Sequence, residues 1–276
     1  MTSKNFIRIF DQANKKGFAV AGLVVLGWED AIAYTEAANE TGIPIILQAG
    51  PGCRKHTPIP ILGKMFNYLA EQTKTPIVCH IDHGYSYREC VEGMDNGFTS
   101  VMFDGSKLPI KENIKITKSI VKKAQLYNVS VEGEVGFVGY NKGKKSLGTD
   151  LNEARLFSYE SGADSMAISV GNTHLQTKKI AKINLEKIYE IQDITPIPLV
   201  LHGGSGIADS LKKKIARNTN VAKFNIGTEL RRKFGDILRK NINSNKKIFD
   251  RIEMLKPTIK EITKLTKKII VNIGPK

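Results

Sequence analysis

With 276 residues, 41% of them hydrophobic and 25% charged, the chain can bury a sizeable core, and residues 1–276 read as a single domain. A formal net charge of +15 raises nucleic acid as a partner, but the basic residues are spread through the helical segments in short runs such as Lys212–Lys214 and Arg231–Lys233; lysine far outnumbers arginine and no DNA- or RNA-binding motif accompanies them, so nucleic acid is set aside in favour of a small anionic partner. No apolar run of about 18 residues and no leader-like segment is present, and Cys53, Cys79 and Cys90 lack disulfide or thiolate-metal spacing, so the expectation is a cytoplasmic chain with reduced thiols and no membrane partner.

In chain order, an apolar run at 19–25 precedes an amphipathic segment at 29–40. The pattern repeats at 43–49 with 62–73, at 75–82 with 86–96, and at 99–104 with 111–126. It continues at 129–135 with 150–161 and at 164–170 with 184–192, and two further apolar runs lie at 197–202 and 221–226. IPIILQAG and IPLVLHGG are nearly continuous apolar runs ending abruptly in Gly, as expected of strands buried on both faces. Pro44, Pro76, Pro196 and Pro198 stand at strand starts, where a missing N–H costs little. The intervening segments carry apolar residues at three- and four-residue spacing and supply the crossover helices that parallel strands require. From about residue 230 the chain is basic and helical, with Pro257 inside it, and is expected to pack outside the barrel or against a partner subunit. Eight alternations predict an α/β fold, a (β/α)8 TIM barrel with additional C-terminal helices. An open doubly wound sheet would need a phosphate-binding Gly fingerprint after its first strand, and GLVVLGW is not one.

In such a barrel the strand ends converge on one mouth, and polar residues crowd at those ends. Strand three supplies His80, Asp82 and His83, strand four Asp104, and strand five Glu132 and Glu134. Strand six leads to His174, strand seven ends at His202, and strand eight carries Asn225. A lone histidine at such a place is more often a hydrogen-bonded structural residue than a ligand. Three change the balance, because three neutral imidazoles with an open fourth position suit a zinc ion that must polarise a substrate. Asp104, Glu132 and Glu134 together would be costly without a cation or water to offset them, and Glu132 and Glu134, two apart on one strand, share a face. The GGSG turn after His202 can cradle an anion on backbone N–H groups, and Asn225 and Thr228 lie at the adjacent strand end, where barrel enzymes frequently bind phosphate.

In combination, H-x-D-H-G at 80–84, F-D-G-S at 103–106, E-x-E-x-G at 132–136, G-N-x-H at 171–174, H-G-G-S-G at 202–206 and N-x-x-T-E at 225–229 resemble the class II, zinc-using fructose-bisphosphate and tagatose-bisphosphate aldolases over nearly the whole chain. The resemblance implies Zn2+ on His83, His174 and His202, with Asp104 and Glu134 serving a secondary or resting metal position. It implies that Asp82 exchanges a proton with the C4 hydroxyl, and that Gly203, Ser205, Asn225, Gly227 and Thr228 bind substrate and phosphate, with a monovalent cation (Na+ or K+) as the family uses. It also implies a homodimer or homotetramer that splits a phosphorylated ketose into dihydroxyacetone phosphate and an aldehyde. Several positions depart from the family pattern. The loop after strand five carries Asn141 and Lys142 where a proton-moving glutamate is usual; the first strand lacks the usual F-N-x-N; Gly50 replaces a Ser or Thr; Leu175 replaces a Gly; and Gly227 replaces an Asp or Ala. These departures leave room for a metal-dependent lyase or isomerase acting on another sugar-acid or sugar phosphate, or for a non-catalytic sugar-phosphate-binding paralogue. Asp82 and the three histidines speak against the last.

Overall fold

The computed structural model describes residues 6–140 and 146–275; the loop positions Asn141 and Lys142 lie outside the described residues. Strands β1 (Val20–Val24), β2 (Ile45–Ala49), β3 (Ile77–Gly84), β4 (Ser100–Phe103), β5 (Ser130–Val135), β6 (Ser165–Ile168), β7 (Leu199–Leu201) and β8 (Val221–Ile226) pair in parallel and in sequence. β8 returns to β1, with Ala21 opposite Phe224, so the sheet closes on itself and has no free edge. The predicted (β/α)8 barrel is the observed one.

The crossover helices are α2 (Trp28–Thr41), α4 (Ile59–Glu71), α5 (Tyr87–Asp95), α6 (Ile110–Tyr127), α7 (Leu151–Glu160), α8 (Leu185–Ile194) and α9 (Asp209–Asn218). Their starts are written in the sequence. Ser86 accepts from Glu89 N at the head of α5, Asp150 from Asn152 N and Glu153 N at α7, and Asn184 from Lys187 N at α8, each satisfying donors that a first turn leaves unpaired. Their apolar faces and the outward-facing strand residues form the main core, including Leu23, Leu47, Phe66, Phe103, Phe157 and Phe224. Outside this ring, α10 (Thr228–Ser244) and α11 (Arg251–Ile273) follow β8, and α11 packs along both α2 and α10.

Two helices went unforeseen. The short α3 (Pro51–His56) sits directly after β2, and α1 (Phe6–Lys16) precedes the barrel. Ile9, Phe10 and Ala13 of α1 meet Val20, Ile46, Val78, Met102, Ala167, Val200 and Ala222 from the strands, making an apolar floor inside the barrel at the N-terminal ends of the strands. The same end is latched by Arg217 of α9, which donates to the carbonyls of Gly17 and Gly274, and by Ala19 N, which donates to Ile273 O at 2.8 Å. Above the floor the interior turns polar. No described helix is long and apolar enough to cross a membrane, and all three cysteines are free and buried.

Candidate active site

The polar half of the interior opens at the C-terminal ends of the strands into a cavity of about 240 Å3 lined by Asp82, His83, His174, Gly203, Ser205, Asn225, Gly227 and Thr228, among others. A larger cavity of about 720 Å3 lies beside this mouth, between the β1–α2 loop, α10 and α11. The convergent titratable groups are in the smaller one, and site chemistry follows convergence rather than volume.

β3 delivers Asp82 and His83 together because its last residues leave the extended conformation, with His83 at φ 51°. A non-glycine residue there is strained, and a buried arginine holds it. Arg54 of α3 donates to the carbonyls of Ala49, Asp82 and His83 and pairs with Glu89, so one guanidinium fixes the end of β3. Asp82 Oδ1 accepts from Asn225 Nδ2 at 3.0 Å. Burial alone would push the Asp82 carboxyl up, but His83, His202 and Lys223 outweigh it and hold the group below the usual carboxylate range. Asn225, expected to bind substrate or phosphate, lines the same cavity and also supports Asp82.

The imidazoles of His83, His174 and His202 face one another with ring centroids 4.7–5.6 Å apart. Each offers a nitrogen within 4.8 Å of the others, and His83, Asp104 and Glu134 form a second such group. His83 Nδ1 is 2.9 Å from Asp104 Oδ2 and 3.7 Å from Glu134 Oε2, while His202 Nδ1 lies 3.7 Å from the same Glu134 oxygen. Both His202 Nδ1 and Glu134 Oε2 are buried without a hydrogen-bond partner. Buried polar atoms without partners are costly, and three nitrogens at this spacing with a carboxylate behind them match the donor set of a zinc site. The residues present fit the metal.

The electrostatics point the same way. Burial pushes His83 down, yet Asp82, Asp104 and Glu134 more than reverse it, raising the group to about 9. Burial and the neighbouring His83 hold His174 and His202 well below their ordinary value. The metal-free cluster therefore carries a proton on His83 in the place of a cation. Because this folded value lies above the ordinary 6.5, the stabilisation is complete below pH 6.5 and is lost as pH rises through about 9. Thermal unfolding of zinc-free protein is expected to move to lower temperature between those limits, and zinc uptake near pH 7.5 to release about one proton; a flat profile together with proton-neutral uptake would exclude a protonated His83.

The residues expected to bind the phosphate line the same cavity. Gly203 adopts φ +67°, and a Cβ there would sit 2.3 Å from Thr173 O, so only glycine fits. Ser205 Oγ accepts from Gly227 N at 3.3 Å and Glu229 N at 3.2 Å at the start of α10, and Gly203, Ser205, Gly227 and Thr228 line the cavity together. A helix N-terminus with a glycine turn favours phosphate. Leu175 stands beside them at φ 57°. A leucine in this region costs about 1–2 kcal/mol, partly offset after substitution by the greater freedom of glycine in the unfolded chain. Leu175→Gly is expected to raise stability by about 0.5–1 kcal/mol, read as a higher urea midpoint; a lower midpoint would mean that the leucine's packing outweighs its strain.

Sequence reasoning missed four contributors. Arg54 carried no signal, being one basic residue on a short helix. Lys223 is fully buried and donates to Glu132 Oε2 at 2.6 Å. Two residues before Asn225 on β8, it shares that residue's inward face, and the period-two rule could have found it. The cation needed near Glu132 is thus in part a lysine. Tyr85 and Tyr140 also line the mouth, and the Tyr140 ring stacks on His174 at 5.1 Å.

The family model described as class-II fructose-bisphosphate aldolase matches residues 4–276. The fructose-bisphosphate aldolase of Mycoplasma genitalium is 36% identical over 252 residues, covering 88% of this chain and 85% of that one. The 6-phospho-5-dehydro-2-deoxy-D-gluconate aldolase of Shouchella clausii is 32% identical over 270 residues, covering 95% and 91%. Among solved structures, the YdjI aldolase of Escherichia coli K12 superposes with a TM-score of 0.87 at 28% identity, over 98% of this chain and 97% of that one.

Proposed function

The chain belongs to the class-II fructose-bisphosphate aldolase family, and from that premise we propose how its residues divide the work of cleaving a phosphorylated ketose to dihydroxyacetone phosphate and an aldehyde. The observation that carries the reading is the convergence of three imidazoles and the ionised Asp82 on one mouth, with His202 Nδ1 buried and unpartnered. His83, His174 and His202 would hold the zinc, and Asp104 and Glu134 a secondary position. Zinc, when bound there, supplies Lewis-acid polarisation of the ketose carbonyl. Gly203, Ser205, Gly227 and Thr228 bind the phosphate at the head of α10, orienting the ketose so that the bond to be broken lies beside Asp82. Asp82, steadied by Asn225, takes the proton from the hydroxyl of the departing carbon. As that carbon becomes an aldehyde, the electron pair of the broken C–C bond stays on the ketone fragment, whose carbon then accepts a proton to give dihydroxyacetone phosphate. Condensation runs the same steps backwards, with Asp82 returning the proton.

The proposal includes residues 1–276 acting as one catalytic domain, a cytoplasmic setting and a monovalent cation, Na+ or K+, accompanying the phosphate. It also includes a homodimer or homotetramer, which the exposed apolar Trp28, Phe249 and Ile252 support. One feature favours a second reading of the substrate. Val24, Gly50 and Gly52 line the same mouth as Asp82 and offer no polar side chain, so a sugar-acid or deoxy-sugar phosphate with fewer hydroxyls there is the alternative. Zinc-loaded protein assayed on ketose 1-phosphates, ketose 1,6-bisphosphates and a phosphorylated deoxy keto-acid, with coupled detection of dihydroxyacetone phosphate, decides. Chelator-sensitive turnover supports the assignment, the preferred member of the panel chooses between the two readings, and absent turnover with zinc bound would sink both.

A further inference from the structure

Below the metal-binding histidines, the barrel interior holds a chain of polar groups, from four strands and from His202 just after β7, whose hydrogen-bond directions can be assigned. Lys223 Nζ is a donor only. It lies 2.6 Å from Glu132 Oε2 and 3.2 Å from His80 Nε2, so His80 Nε2 accepts, and its Nδ1–H faces Ser100 Oγ at 2.7 Å. The second oxygen of Glu132, Oε1, lies 3.1 Å from His202 Nε2. A carboxylate only accepts, so His202 carries its hydrogen on Nε2 and leaves Nδ1 as a lone pair in the cluster with His83 and His174, where it has no hydrogen-bond partner. His80, Glu132, His202 and Lys223 are all fully buried, so no solvent competes for these positions.

We propose that Lys223 is a positioning residue for the metal centre: by claiming one oxygen of Glu132 it fixes the other as an acceptor for His202 Nε2–H, and so determines which nitrogen of His202 faces the metal. The inference rests on His202 being a metal ligand. Glu132, on the same face as Glu134 but deeper, is thereby a partner of the ligand rather than a ligand. An unusual rescue is expected. In Glu132→Gln the ammonium of Lys223 compels the amide oxygen to face it, and the amide NH2 is turned onto His202. His202 Nε2 must then accept, its hydrogen moves to Nδ1, and the metal-facing lone pair is lost. If Lys223 is also replaced by Met, the amide is free to turn over. Its oxygen accepts from His202 Nε2–H, and its NH2 points toward His80 Nε2, which lies 3.9 Å from Glu132 Oε2. The second substitution should undo the first, and removing both charges leaves no unpaired charge in the core.

Zinc affinity by competition with a chelator, and the 15N shifts of the histidine rings in metal-free protein, provide the test; neither depends on aldol chemistry, so failure to cleave ketoses would count against the assigned reaction and not against this inference. Glu132→Gln is expected to weaken zinc binding about 10–100-fold and to place the His202 hydrogen on Nδ1. Glu132→Gln/Lys223→Met is expected to return zinc affinity to within about threefold of wild type and the hydrogen to Nε2. A single variant that binds zinc as wild type does, or a double variant no better than the single, overturns the proposal. Should the double variant fail to fold, the ring shifts of Glu132→Gln decide, and a hydrogen retained on Nε2 refutes it. A wild-type protein that binds no zinc refutes the ligand assignment on which it stands.

Discussion

Replacing Asp82 by Asn is expected to lower the rate of C–C cleavage about 10²–10⁴-fold while the protein keeps its zinc. The amide is nearly isosteric, and its oxygen can still accept from Asn225 Nδ2, which lies 3.0 Å from Asp82 Oδ1, so the mouth should hold its shape. What disappears is a group that can accept a proton. The loss should fall on kcat, since the residues proposed to hold the phosphate are untouched. Metal content by atomic absorption and steady-state rates on the preferred ketose phosphate check both halves. A variant that cleaves as fast as wild type would remove Asp82 from the reaction, and one that loses its zinc would mean that the carboxylate serves the metal first.

His83→Ala is expected to abolish zinc retention and turnover together. His83 is common to both clusters of potential ligands, so its removal takes a donor from each and leaves Asp82, Asp104 and Glu134 facing one another without the imidazolium that offsets them in the metal-free protein. Burial pushes Glu134 well above its ordinary value, but Asp82 and Asp104 are held below theirs and stay ionised; buried carboxylates without a counter-cation are expensive, and the variant should also melt earlier than zinc-free wild type at neutral pH. Unchanged zinc content after dialysis would show that the ligands lie elsewhere.

The barrel was legible because its strands are nearly unbroken apolar runs, stopped at one end by Pro44, Pro76 or Pro198 and at the other by glycine or a polar residue. Burial on both faces produces that pattern, and closure follows from the count. The helix α1 was not legible, because its apolar stripe acquires a meaning only once the barrel has an open floor to fill. At the site, the residues on strand ends could be read from position alone, and the structure brings His83, His174, His202, Asp82, Asp104 and Glu134 together. Arg54 could not be read in the same way, and Lys223 could be placed on the inward face of β8 only by counting two residues back from Asn225. A buried cation looks like any other basic residue until its partners are known, and in this lysine-rich chain nothing in the composition marks two of them as different.

The latch of Arg217 on Gly17 and Gly274 lies at the end of the barrel opposite the mouth. A tether attached near either residue, whether a fusion partner, an immobilisation tag or a solid support, would leave the mouth facing outward, with the full depth of the barrel between the attachment and the incoming sugar. Such a chain should retain its affinity for substrate on a surface, whereas attachment at the rim, at Tyr85 or Leu175 for example, would obstruct entry. The molecule has, in effect, a handle and a working end.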